Sequence, residues 1–82
     1  MPGNAVDSEA FMVWKDQNPK KYKRVLGKFR DILKRQLDGE IQLTDRISEV
    51  GRVRTDYSGI PAEILAAIFH KAQEGLKELQ GV

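Results

Sequence analysis

The chain has 82 residues, too few to divide into two parts that each bury a core, so a single domain is expected. It contains no cysteine, which excludes a disulfide framework, a thiolate zinc site and a cysteine nucleophile. No run approaches the roughly 18 apolar residues of a membrane span, and a composition of 40% hydrophobic and 32% charged residues with a net charge of +2 describes a globular chain. The N-terminus lacks the basic-then-apolar order of a secretory signal, so a cytoplasmic, intracellular protein with no membrane association is the expectation.

Residues 1–6 contain Pro, Gly and Asn without periodicity and are expected to form a flexible tail, leaving residues 7–82 as one helical domain. Asp7 or Ser8 can cap a first helix of about three turns, in which Ala10, Phe11 and Trp14 share a face and which ends before Asn18. Asn18-Pro19 then marks a boundary. Asn is a preferred N-cap, and Pro is tolerated at the first helical position because its missing N–H would be unpaired there.

The second helix carries Tyr22, Val25, Leu26, Phe29, Ile32, Leu33 and Leu37 at steps of three and four, the stripe of a helix packed by one side. Every Lys and Arg falls outside that stripe, and Gly39 is placed to end the helix with a left-handed residue. Ile41-Gln42-Leu43 reads as a short extended connector, after which Thr44 or Asp45 caps a third, shorter helix with Ile47, Val50 and Val53. Gly51 weakens this helix, and an irregular or extended course from Val50 to Tyr57 is the alternative. Thr55 to Gly59 has turn composition, and Pro61 opens a last helix on which Ile64, Leu65, Ile68, Phe69, Ala72, Leu76 and Leu79 form the apolar stripe. The fold class is therefore all-α, a small bundle of three to four helices whose main core joins helices two and four.

The charge is unevenly spread. Between Lys20 and Arg35 eight basic residues face the single acid Asp31, a local excess of +7, whereas the segment from Asp56 onward is net negative at −2. Such asymmetry bears on partners rather than on fold. Lysines and arginines along one helix can sit opposite successive phosphates and release condensed counterions. Lys20, Lys21, Arg24, Lys28, Lys34 and Arg35 are the candidate phosphate contacts, with Arg52 and Arg54 as further candidates because guanidinium groups suit bidentate phosphate contact. The stretch around Ile47, Val50, Gly51, Tyr57 and Ile60 loosely echoes helix-turn-helix spacing. It departs from that motif where Arg52 takes a normally apolar place and where Ser58 to Pro61 would break the recognition helix.

Catalytic chemistry finds little support. His70 is the single histidine, and Glu74 one turn away supplies at most two of the three or four ligands that a metal site needs. No glycine pattern for phosphate loops or dinucleotides occurs. A non-enzymatic nucleic-acid-binding protein without cofactor or metal is expected, a small regulator or accessory factor that contacts DNA or RNA phosphates. The other reading is a protein-interaction module, an adaptor, inhibitor or assembly subunit. It would dock its basic helix on an acidic protein surface or use an aromatic patch of Phe11, Met12 and Trp14. So short a chain also gains buried area by pairing with itself, so a homodimer is a further expectation.

Overall fold

The computed structural model describes residues 8–80, with side chains through 76. The expected tail over residues 1–6 and the placement of Leu79 lie outside the residues whose surroundings are described. Four helices follow one another, α1 (Glu9–Gln17), α2 (Pro19–Leu37), α3 (Leu43–Asp56) and α4 (Ala62–Gln80), and no strand occurs among the described residues. None of these helices is long and apolar enough to cross a membrane.

Each boundary has a local cause. At α1 the Ser8 hydroxyl accepts from the Phe11 N–H at 3.1 Å, the cap expected from its position. Asn18 behaves otherwise than expected. Its side chain does not cap α2 but turns back, donating from Nδ2 to the Trp14 carbonyl at 3.0 Å, and its backbone N–H goes to the same carbonyl. The Lys20 and Lys21 N–H groups that such a cap would relieve do without it, and the amide closes the end of α1 instead. Gly39 adopts φ 79°, and the Glu40 N–H reaches the Arg35 carbonyl at 2.8 Å, the closure typical of a left-handed C-terminal residue.

The expected extended connector is shorter than its composition suggests, because α3 already begins at Leu43. Asp45 is not its cap. It sits inside the first turn and accepts from the Gln42 N–H at 3.0 Å, which places its carboxylate at the positive end of the helix. Gly51 is accommodated within α3, so the extended alternative for Val50 to Tyr57 does not hold. The turn before α4 closes with the Ile60 N–H on the Tyr57 carbonyl at 2.9 Å, and the Ile60 side chain is buried as a plug.

Packing centres on α2. It lies most extensively against α4 and next against α3, while α1 crosses the α2 and α4 pair and α3 barely touches α4. Val25, Phe29, Ile32 and Leu33 of α2 meet Ile64, Leu65, Ala67, Ile68 and Ala72 of α4, with Phe11 and Val53 closing the two sides. The Phe29 and Phe69 rings meet edge to face at 5.3 Å, a favoured aromatic geometry. The stripes read from helices two and four thus form the core of an all-α bundle, except that Leu37 at the end of α2 is exposed and Tyr22, Leu26, Phe69 and Leu76 are only partly buried.

Candidate nucleic-acid interface

The cations of α2 occupy the surface that its apolar stripe leaves over. Lys20, Lys21, Lys23, Arg24, Lys28, Arg30 and Lys34 are exposed, and none has a carboxylate partner among the described residues. Arg35 differs. Its Nε donates to Asp31 at 2.9 Å and its two terminal nitrogens grip the Glu49 carboxylate of α3. That bidentate contact holds Glu49 below the usual carboxylate range, assisted by the charge of Arg52, and raises Arg35 further above its own. Arg35 therefore fastens α3 to α2 rather than presenting a free guanidinium, which moves it from the candidate contacts to the framework that positions them.

The clasp brings a second helix to the basic face. Between α2 and α3 runs an open trough of about 560 Å³ that Arg24 and Lys28 line from α2 and Arg52 from α3, with Asp31, Glu49 and Asp56 also along it. Arg35 hydrogen-bonds two of those three acids, Asp31 and Glu49, and its single charge offsets one of them. Gly27 lies in the trough wall, and a Cβ there would meet nothing within 4 Å. A helical glycine forfeits about 1 kcal/mol relative to alanine, and here it leaves the trough wall bare of a side chain.

The remaining candidates separate. Lys20 and Lys21 stand in the first turn of α2, and Lys34 is exposed near its end. Arg54 is not beside Arg52. It lines a different cleft, between α3 and α4, so the two arginines serve opposite sides of α3. The aromatic patch is divided too. Phe11 is buried at 1% exposure with its ring 6.0 Å from Tyr22, Trp14 is half-buried, and Met12 is left outside at 58% beside Val13. Phe11, Met12 and Trp14 are therefore not one docking surface.

His70 pairs with Glu74 at 3.2 Å, and Lys71 approaches the same carboxylate at 3.9 Å. No group of three or more His, Asp or Glu side chains converges to hold a metal among the described residues. Sequence reasoning missed the Glu49 clasp. Asp31 and Arg35 announce themselves by i,i+4 spacing, but nothing local signals a partner fourteen residues along the chain. No protein family matches this chain, and no curated protein or solved structure does either.

Proposed function

We propose that the protein binds nucleic acid without catalysis or cofactor, laying the basic side of α2 and the rim of the α2–α3 trough along a phosphate backbone. The supporting observation is that seven exposed cations on a 19-residue helix lack carboxylate partners among the described residues, and of the helix's cations Arg35 alone is paired there. A helix of that length extends about 28 Å, enough to follow several phosphates. Lys20, Lys21, Arg24 and Lys28 make the principal contacts, Arg52 joins them across the trough, and Lys34 extends the track. Contacts of this kind fix position and carry no base specificity.

The test is fluorescence anisotropy with labelled duplex DNA and single-stranded RNA at about 50 and about 200 mM salt. Engagement of four phosphates gives a log–log slope near −3.6 on duplex DNA, a loss of about a hundredfold or more over that range. A quadruple variant with Lys20, Lys21, Arg24 and Lys28 replaced by Glu should keep its helical circular dichroism and lose binding. Absence of binding to either polymer at the lower salt, or binding that the variant retains, refutes the proposal.

A further inference from the structure

Large exposed apolar side chains gather in two places. One is α1, where Met12 and Val13 are 58% and 47% exposed, and the other is the α2–α3 corner, where Leu37, Leu43 and Ile47 are exposed and Ile47 reaches 61%. Ile47 borders the cleft that opens between α3 and α4 because both helices pack on α2 and hardly on each other. This cleft is about 430 Å³, with Phe29 and Phe69 at its base, Val50 on its wall and Ile47 at its lip.

The charges of the two patches are opposite. Arg46 and Arg54 line the cleft, and among the described residues no carboxylate does. Arg46 is held there by donating to Gln36 Oε1 at 3.0 Å and by lying 5.9 Å from the centre of the Phe69 ring. On α1 the outward Met12 and Val13 are flanked by Glu9 and Asp16, all four exposed and spaced i, i+3, i+4 and i+7, so they form one narrow stripe of acid, two apolar residues and acid.

The lengths correspond as well. Arg46 and Arg54 are eight residues apart on α3, about 12 Å, and Glu9 and Asp16 are seven apart on α1, about 10.5 Å. An amphipathic helix with acidic flanks is the occupant that a basic-rimmed apolar groove selects. Cleft against cleft is disfavoured because it would set four guanidinium groups together.

We infer that the protein self-associates by seating the Glu9–Met12–Val13–Asp16 face of α1 from one copy in the α3–α4 cleft of a second copy. The contact covers the apolar side chains of α1 and Ile47 and pairs Glu9 and Asp16 with Arg46 and Arg54. Reciprocal exchange closes a two-fold dimer, and one-way exchange builds a longer assembly. The α2–α3 trough stays open in either case, because Arg52 and Arg54 lie on opposite sides of α3.

Sedimentation velocity on the full chain, from about 10 µM to about 1 mM, tests this with two charge-swapped variants. One carries Glu9→Lys and Asp16→Lys, the other Arg54→Glu, and circular dichroism verifies that each is folded. The native chain is expected to associate within that range, each variant alone to associate at least tenfold more weakly, and their equimolar mixture to recover. Recovery is diagnostic, since the mixture pairs a basic α1 with an acid at the cleft and an acidic α1 with the unaltered cleft. A native chain that stays monomeric at about 1 mM overturns the inference and leaves the cleft to another occupant. Association unaffected by either variant, or a mixture that fails to recover, places the contact elsewhere and overturns it equally.

Discussion

The clasp of Arg35 on Glu49 sets how α3 lies on α2, and it couples that placement to pH. In the fold Glu49 titrates below its ordinary range because Arg35 hydrogen-bonds its ionised form. The unfolded chain consequently binds more protons than the fold as pH falls through the usual carboxylate range, and stability falls with it. Above that range the contribution of the pair is complete. It is lost as pH drops through the depressed value, where Glu49 protonates in the fold as well. Glu49→Gln should therefore have a lower melting temperature than the native chain near pH 7, and the difference should shrink steadily as pH falls below 4.5. Thermal melts across that window read it directly, and a gap that stays constant with pH would show that the clasp acts by shape alone. Neutral pH hides none of this, since both groups are then fully charged.

At the scale of the helix, α2 carries its charge in an unfavourable place. Its first turn contains Lys20 and Lys21 and no acid, although the N-terminus of a helix is its positive end. Glutamate there interacts favourably with the helix dipole, so Lys20→Glu and Lys21→Glu should each stabilise the fold by about 0.3–1 kcal/mol at low ionic strength. The same changes should weaken polyanion binding, and urea titration beside the anisotropy assay measures both. Stabilisation with unchanged nucleic-acid affinity would remove these lysines from the contact surface. The stripes of α2 and α4 were legible because each helix buries one continuous face. That of α3 was not, since Val53 faces the core while Leu43 and Ile47 lie open, and an apolar periodicity does not reveal which face is covered. Arg52 and Arg54 misled for a related reason. Two positions apart on a helix is about 200° of rotation, so their closeness in sequence separates them in space.

Across the whole molecule one helix holds the others together, and this decides how it should unfold. Seen from the sequence, the cations of α2 were plain as a face, whereas its union with α3 depended on a contact fourteen residues apart and its separation from the α3–α4 cleft on packing alone. A chain of this size has about 4–12 kcal/mol of stability in total. Ile68 is fully buried against α2, and Ile68→Ala should remove about 2–5 kcal/mol of it by leaving a cavity at the α2–α4 contact. Because α1 crosses both of those helices and α3 rests on α2, the loss should be felt by every element at once. Trp14 reports on α1 through its fluorescence, and far-ultraviolet circular dichroism reports on all helices. In urea the two signals should share one midpoint in the native chain and shift together to a lower one in the variant. Separate midpoints would mean that α1, which has the least extensive packing, undocks before the α2–α4 pair gives way. Such undocking uncovers the Phe11 side of α1 while the α2–α4 pair stays folded.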